Sequence, residues 1–304
     1  MYIPEHEVRA ALTYEALIPA IRQALIDYSA GRVKQPLRTL LFDGDTDGGR
    51  SGGLGVMPVI AGDVMAVKTV TFFPGNAELG IPTHMAVIEL LSRATGEPLA
   101  VMDGRLITEM RTAAVSAVAL DALAPAQARS LGIIGSGVQA RSHLEAMRRV
   151  RPGLSDVRVF SRTAANAEAF AAETGAAIAP IEEAAAADVV LAVTSSPTPI
   201  IEGRWLKRDA VVLAVGAVGP HMRELDDETM LSSTIVAESR QGSENESADV
   251  RLSGAQIYAE IGQVLSGSAQ VPAGKRIVFK SLGMAIEDLT AARIVWQARE
   301  ARPV

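Results

Sequence analysis

The chain has 304 residues, of which 48% are apolar and only 4% aromatic, and its formal net charge is −6. This length accommodates two domains, and the negative charge disfavours a nucleic-acid partner, which would require a basic surface. There is no cysteine, which excludes disulfides and thiol catalysis, and the four histidines lack the spacing of metal ligands, so no metal site is expected. No apolar run is long enough to span a membrane and the N-terminus lacks the order of a signal peptide, so we expect a cytoplasmic protein.

The first third of the chain predicts an α+β unit with a mostly antiparallel sheet. An amphipathic helix is predicted from Thr13, its N-cap, to a stop at Gly31. Arg38 lies in an extended stretch, and the segment 43–53, rich in Asp and Gly, predicts a flexible loop. Strands are predicted over 55–58, 64–73, 83–91 and 99–103, with a loop over 76–82 and a helix from Thr108 or Glu109 to Ala122.

A glycine motif in the middle of the chain indicates a nucleotide site. An apolar strand, Leu131 to Ile134, runs into Gly135 and Gly137, and a helix is predicted from Val138. In the dinucleotide fingerprint the first glycine makes the tight turn, the second lets the backbone approach a pyrophosphate, and the third position, here Ala140, packs helix on strand. The helix N-terminus then offers N–H groups to phosphate. Glycine turns between strand and helix are common, so the motif needs its context.

The context is a strand–helix–strand pattern typical of a parallel sheet. A strand at 157–160 precedes a helix over 164–174, and two apolar runs end at Thr194 and Gly216. Beyond these we predict a helix starting near Asp226, a strand at 235–238, a polar loop at 243–248, a helical segment at 260–267, a last strand at 277–283, and an apolar-periodic helix at 284–299.

Several landmarks stand in one order along almost the whole chain: Gly55–Pro58, Lys68, Met102–Gly104, Arg111–Ala117, Gly135–Ala140, Arg223–Asp226 and Phe279–Ala285. Together they resemble the ornithine cyclodeaminase/mu-crystallin family. The resemblance is greatest to the mu-crystallin and ketimine reductase branch of imino-acid reductases.

The resemblance implies an α/β fold in which a Rossmann-type, doubly wound parallel sheet accompanies an α+β substrate and dimerisation domain. We place the substrate domain at 1–124, joined by the C-terminal helix at about 284–304, and the NAD(P)-binding domain at 125–283. The family's active site lies in the cleft between its domains, its substrates are amino or imino acids, and it dimerises through the sheet of the substrate domain. We therefore expect a small imino- or amino-acid substrate and a homodimer.

Site residues follow from the resemblance position by position. Arg38, Lys68 and Arg111 match the basic residues that bind the substrate, and Leu282 matches an apolar position near the reacting ring. The expected cofactor contacts are Thr83, Gly135, Gly137, Val138, Gln139, Ser161, Arg162, Thr163, Thr194, Ala214, Val215, Gly216, Ala217 and Ser281.

Three of the candidate substrate residues also have ordinary structural interpretations. Arg111 opens a helix, where it would be either a bidentate carboxylate clamp or a surface side chain lying along the helix. Lys68 interrupts an apolar strand, and a charge there is commonly an outward-facing residue. The resemblance favours a catalytic Lys68, which would bind the substrate carboxylate or give its proton to the imine nitrogen. His84 would touch a second polar group of the substrate, or serve as a core or rim histidine.

The residues after the second strand of the nucleotide domain bear on the choice of cofactor. Ser161, Arg162 and Thr163 stand where an NAD-preferring site would have an acid on the ribose 2′-hydroxyl. Because the acid is absent and Arg162 can pair with a 2′-phosphate, NADP(H) is favoured. NAD(H), with the arginine stacked on adenine, is the alternative.

The leading functional hypothesis is an NAD(P)H-dependent imine reductase that forms an L-amino acid. Its substrate would be a cyclic ketimine such as pyrroline- or piperideine-2-carboxylate, or a linear imino acid such as iminosuccinate or iminopropionate. The alternative is an ornithine or lysine cyclodeaminase with recycled NAD, but its two carboxylate positions are Val218 and Gly55 here, so Glu224 or Asp226 would have to substitute. A non-catalytic, NADP-dependent protein that binds a small ligand is the third possibility.

Overall fold

The structure, a computed structural model, describes residues 2–43 and 52–301. The chain divides into two compact units, the first made of residues 1–111 and 284–304 and the second of residues 112–283. The division falls inside a long helix, thirteen residues before the position expected from the sequence. Within the described ranges no helix is both long and apolar enough to cross a membrane.

The elements alternate between strands and helices along most of the chain. In the first unit they are β1 (Tyr2–Ile3), α1 (Glu5–Ala11), α2 (Tyr14–Ser29), β2 (Thr39–Asp43), β3 (Gly52–Ala61), β4 (Val64–Phe72), a 3-10 helix (Pro74–Leu79), β5 (His84–Ser92), β6 (Pro98–Asp103) and the start of α3 (Arg105–Leu123). The second unit contains β7 (Ser130–Ile134), α4 (Val138–Val150), β8 (Asp156–Phe160), α5 (Ala164–Thr174), β9 (Ala177–Ile178), α6 (Ile181–Ala185), β10 (Val189–Ala192), a 3-10 helix (Gly203–Trp205), β11 (Val211–Ala214), α7 (Asp227–Ser232), β12 (Thr234–Ala237), α8 (Arg240–Glu246), α9 (Ala248–Ser253), β13 (Ile257–Glu260), α10 (Ile261–Leu265) and β14 (Ile277–Lys280). The helix α11 (Ala285–Glu300) returns to the first unit.

The first unit is built on a six-stranded sheet in the order β1-β6-β5-β4-β3-β2. All its pairings are antiparallel except that of β1 with β6. Alternate residues of β3 to β6 are buried on the face where α11 packs, and Lys68 lies on this face between Met57 and Ile88. On the outer face Met85 and Val87 are more than 40% exposed. Strands with two apolar faces and only one of them buried leave the second for another contact.

The second unit contains eight parallel strands in the order β13-β12-β14-β11-β10-β7-β8-β9. From β7 the chain order runs outward to β8 and β9 on one side and through β10 and β11 on the other, so the switch point lies between β7 and β10. The predicted α/β class with a doubly wound parallel sheet is confirmed. Gly132 inside β7 allows α6 to approach closely, because a Cβ there would lie 1.8 Å from the Ala184 carbonyl oxygen.

Strongly periodic helices agree with the sequence, and short polar elements do not. The Thr13 hydroxyl accepts from the Ala16 N–H and starts α2, and α4 and α5 begin at the residues predicted. The helix α3 begins earlier than predicted, because the Asp103 carboxylate accepts from the Arg105 N–H and caps its first turn.

Other predicted boundaries were wrong. The 243–248 segment is not a loop but the end of α8 and the start of α9, and most of the 76–82 segment forms a 3-10 helix. The helix α1 was missed, because seven residues carry too little periodicity. Of the predicted 43–53 loop, residues 44–51 lie outside the described residues, and Gly52 and Gly53 belong to β3.

Candidate active site

The expected cofactor residues of the second unit follow the carboxyl ends of five adjacent strands. Ser281 and Leu282 follow β14, the 214–217 segment ends β11, Thr194 follows β10, Gly135 to Gln139 follow β7, and Ser161 to Thr163 follow β8. Carboxyl ends of parallel strands share one edge of a sheet, and in doubly wound folds this edge at the switch point binds the ligand. Thr83 differs from the others, since it precedes β5 in the first unit, where its carbonyl accepts from the Phe73 N–H.

The glycine turn has the geometry of a pyrophosphate site. Gly135 has φ +113°, and a Cβ there would lie 2.7 Å from the Val193 carbonyl oxygen, so only glycine fits. Gly137 caps α4, and a Cβ built on it meets no described atom within 4 Å, which leaves open space before the helix N-terminus. The Arg141 guanidinium donates to the Ser136 carbonyl at 2.6 Å and stacks on Phe170, so it braces the turn from behind. These features fit a nicotinamide dinucleotide, whose pyrophosphate would meet the N–H groups of α4.

Glu224, a buried carboxylate, holds together the ends of β10 and β11. One of its oxygens accepts from the Thr194 N–H at 2.6 Å and from the Thr194 hydroxyl at 2.9 Å. The other accepts from the N–H groups of Gly216 at 2.8 Å and Ala217 at 3.0 Å. Burial raises the pKa of the Glu224 carboxyl, and Lys280 and the hydrogen bonds from Thr194 and Ala217 oppose this effect. The loops that follow the two strands are therefore fixed by one side chain.

The end of β14 is held by a matching set of buried charges. Lys280 Nζ donates to the Ala217 carbonyl and to the Asp249 carboxylate, both at 3.0 Å. Asp249 in turn accepts from the Glu224 N–H at 3.1 Å. Glu238 accepts from the Ser281 hydroxyl at 2.9 Å and from the N–H of Gly283 at 2.7 Å. Sequence reasoning missed these supports, because Lys280 and Glu238 end apolar strands whose burial cannot be read from one sequence.

This network also settles the position of the acids that a cyclodeaminase would need. Both oxygens of Glu224 are occupied, and Asp226 caps α7 by accepting from the Thr229 N–H at 2.8 Å. Neither carboxylate can replace the one missing at Val218. At Gly55 a Cβ would lie 2.9 Å from Val70 Cγ1, so a carboxylate side chain does not fit there without rearrangement.

In the first unit a buried cluster of charges gathers the predicted basic residues. Lys68 is only 2% exposed, and its Nζ lies 2.7 Å from Asp288 Oδ2. Arg111 is also buried, with its Nε 3.1 Å from Asp288 Oδ1 and its Nη1 2.7 Å from Glu287 Oε2. Neither of the two basic residues is therefore a surface side chain, which removes the ordinary interpretations of both.

The cluster shifts the protonation of its members. Burial lowers the pKa of Lys68 to about 8, with Arg111 and Arg38 contributing, while Asp288 opposes the fall. Burial lowers the pKa of His84 to about 4, assisted by the charges of Lys68 and Arg111. Burial by itself would raise the pKa of Asp288, but Arg111 and Lys68 outweigh it and hold that pKa below its ordinary value. The structure thus brings Lys68, Arg111, Arg38 and His84 into one electrostatic neighbourhood.

Asp288 and Glu287 are the members of this cluster that sequence reasoning missed. They stand in the first turn of α11, where acidic residues are common because they interact favourably with the helix dipole. That preference explains them without a functional role, and Asp288 is separated from Arg111 by 177 positions. Their only signal was a pair of acids in an otherwise apolar-periodic segment.

Comparisons with known proteins identify the family of this chain. Residues 1–302 match the ornithine cyclodeaminase/mu-crystallin family. The ketimine reductase mu-crystallin of Mus musculus is 43% identical over 291 residues, which cover 93% of this chain and 91% of the relative.

Solved structures with the same fold include two nicotinamide complexes. The Thermococcus litoralis delta(1)-pyrroline-2-carboxylate reductase, in complex with NADH and L-proline, has a TM-score of 0.92 and 31% identity over 99% of this chain and 97% of that one. An archaeal alanine dehydrogenase dimer with bound NAD has a TM-score of 0.94 and 29% identity over 100% and 97%. With the family match across nearly its whole length, this chain belongs to the ornithine cyclodeaminase/mu-crystallin family.

Proposed function

We propose that this protein is an NAD(P)H-dependent reductase that converts the C=N bond of an imino acid into an L-amino acid. It is an oxidoreductase acting on CH–NH groups. The observation that carries the proposal is Lys68, a buried ammonium paired with Asp288 beside a second buried cation, Arg111. The turn at Gly135 to Gln139 is the feature that supports a nicotinamide cofactor.

The substrate class we propose is a cyclic ketimine monocarboxylate, with pyrroline-2-carboxylate and piperideine-2-carboxylate as the first candidates. The related proteins named for ketimine and pyrroline-2-carboxylate reduction support this choice. The dicarboxylate iminosuccinate is a weaker candidate, because His84 with a pKa of about 4 is uncharged at neutral pH. It could offer a second carboxylate only a neutral hydrogen bond.

In the proposed reaction the cofactor supplies the hydride, and the protein binds the substrate and supplies the proton. The reduced nicotinamide, when bound, supplies a hydride to the imine carbon and becomes oxidised. Arg111 and Arg38 bind and orient the substrate carboxylate, so that the carbon to be reduced is held in place. Lys68 gives a proton to the imine nitrogen, which completes the amine, and takes another from solvent afterwards. Leu282, whose backbone is fixed by Glu238, provides an apolar contact for the reacting ring.

The test is oxidation of NADPH and NADH in the presence of imino acids. We expect turnover with pyrroline-2-carboxylate or piperideine-2-carboxylate, and a loss of kcat in the Lys68→Met variant that far exceeds its loss of cofactor affinity. Turnover only with pyruvate or oxaloacetate plus ammonia would shift the substrate to a linear imino acid. Ammonia release from ornithine without net cofactor oxidation would contradict the proposal and support a cyclodeaminase. Tight ligand binding without any turnover would support a binding protein.

For the cofactor we propose a preference for NADP(H). The Ser136 hydroxyl donates to Ser161 Oγ at 2.8 Å, which fixes Ser161 at the end of β8, and the adjoining Arg162 is exposed. An exposed guanidinium at this position can pair with a 2′-phosphate. We expect Arg162→Ala to weaken NADPH binding and leave NADH binding nearly unchanged, as measured by the Kd of each cofactor. Equal weakening of both would support stacking on adenine in an NAD site.

We also propose a homodimer formed through the outer face of the first unit's sheet. Most of the alternate residues of β3, β4 and β5 on this face are apolar and only partly buried, although Thr69, Thr71 and Glu89 also lie there. Apolar sheet faces of this kind are covered in stable assemblies. The dimer of the related archaeal alanine dehydrogenase supports the proposal. The cytoplasmic location expected from the sequence stays a prediction, which fractionation of the host cell would check.

A further inference from the structure

The first unit contains one carboxylate that two catalytic-site cations share. Asp288 Oδ2 lies 2.7 Å from Lys68 Nζ, and its Oδ1 lies 3.1 Å from Arg111 Nε. The side chains of all three residues are at most 6% exposed. A carboxylate so placed fixes the direction of both cations, since each of its oxygens serves a different one.

The neighbouring carboxylate has a different partner. Glu287 precedes Asp288 in α11 and pairs with Arg111 Nη1 at 2.7 Å. Both acids are buried, and both contact Arg111. Lys68 Nζ forms its ion pair with Asp288 Oδ2. The chain therefore offers two buried acids on one helix turn that differ in their relation to Lys68.

We propose that Asp288 is a positioning residue of the reduction: it keeps the ammonium of Lys68 charged and aimed, so that Lys68 can give its proton to the imine nitrogen. The inference deepens the proposed function and rests on it for the identity of the proton acceptor. Asp288 does not itself contact the reacting atoms in this scheme. Its main effect passes through Lys68, and a secondary effect passes through Arg111.

The charges around Lys68 explain why the ammonium needs this partner. Arg111 on α3 and Arg38 before β2 both act on the Lys68 ammonium. Their positive charges lower the pKa of Lys68. His84 on β5 is neutral above pH 4 and supplies no compensating charge. Burial acts in the same direction and is the largest cause of the lowered Lys68 pKa. Asp288 opposes the effects of burial, Arg111 and Arg38, and the resulting pKa of Lys68 is about 8. Without Asp288 the pKa of Lys68 would be lower still.

The experiment compares Asp288→Asn with Glu287→Gln as the matched control. Both substitutions are isosteric, both remove a buried carboxylate of α11, and both disturb Arg111. In the wild-type enzyme kcat should fall above about pH 8, because Lys68, whose pKa burial lowers to about 8, loses its proton there. We expect Asp288→Asn to move this fall downward by at least about one pH unit, which is about a fivefold loss of kcat at the former midpoint. Glu287→Gln should raise KM through Arg111 and move the fall much less.

A second readout does not depend on turnover. Titration of ¹³C-labelled lysine by NMR, with the Lys68 signal assigned through Lys68→Arg, follows the ammonium directly. We expect the midpoint of Lys68 to fall in Asp288→Asn and to change little in Glu287→Gln. Equal midpoints in Asp288→Asn and the wild-type protein, or equal shifts in the two variants, would overturn the inference. A shifted midpoint together with no reductase activity in the wild-type protein would instead retain the pairing and reject the proposed function.

Discussion

Replacing Glu224 by alanine tests the buried support beneath the cofactor edge. The substitution removes the acceptor for three backbone N–H groups, those of Thr194, Gly216 and Ala217, and for the Thr194 hydroxyl. It also leaves Lys280 with one carboxylate fewer in a fully buried site.

The size of the effect follows from these contacts. A buried donor that loses its partner costs about 1–3 kcal/mol, and breaking a buried charge pair typically costs about 3–5 kcal/mol in total. Because neighbouring losses do not add, we expect the free energy of unfolding to fall by about 3–5 kcal/mol. For a unit of this size the corresponding drop in Tm is roughly 10 °C.

The assay is equilibrium unfolding in urea, with Asp227→Asn as the control. Asp227 belongs to the same stretch of chain, but its side chain is 60% exposed and pairs with Arg223 at the surface. Its loss should cost less than about 1 kcal/mol. Glu224→Ala should also weaken cofactor binding, since both strand ends lose their fixed position. If Glu224→Ala unfolds within about 1 kcal/mol of the wild-type protein, the view that this carboxylate holds the two loops is wrong.

Three further outcomes are expected. Gly132→Ala should destabilise the protein by more than about 2 kcal/mol, since its Cβ would overlap the Ala184 carbonyl. Gly137→Ala should instead preserve the Tm and weaken NAD(P)H binding. A larger loss of stability in Gly137→Ala than in Gly132→Ala would contradict both assignments. Folding lowers the pKa of His84 from 6.5 to about 4, so the unfolded chain binds its proton more readily. The free energy of unfolding should therefore fall by up to about 3 kcal/mol as the pH drops from 6.5 to 4. Urea unfolding of His84→Gln should lack this pH dependence. Val87→Lys should convert the proposed dimer into monomers, as measured by the molar mass in light scattering, and an unaltered mass would rule out that face.

Much of the fold could be predicted because local signals and tertiary structure agree. The helix α2 has both a capping residue, Thr13, and an apolar stripe, and the strands of the second unit are continuous apolar runs typical of a parallel sheet. The helix α8 could not be predicted, since its sequence is polar and only Ser243 is buried. At its start the Ser239 hydroxyl accepts from the Gly242 N–H, and the distant Glu260 accepts from the Arg240 N–H.

The sequence predicted the basic residues and the glycine turn of the candidate site but not their charge partners. Lys68, Arg111 and the glycine turn carry motifs that stand out locally. Their charge partners do not, because Asp288 reaches them from the far end of the chain and looks like an ordinary acid of a first helical turn. A single sequence records residue types and spacings, and the pairing of distant buried charges is set by packing alone. For the same reason Glu224 was considered as a catalytic acid although its oxygens are occupied.

The buried glutamates also determine which part of the sheet edge can hold an anion. Backbone N–H groups after β10, β11 and β14 are already bonded to Glu224 and Glu238, so those three loops have few donors left to offer a phosphate. The glycine turn before α4 is different, because its helix N-terminus ends in open space beside Gly137. The pyrophosphate of a dinucleotide is therefore expected at the N-terminus of α4 and not at the loops after β10, β11 and β14.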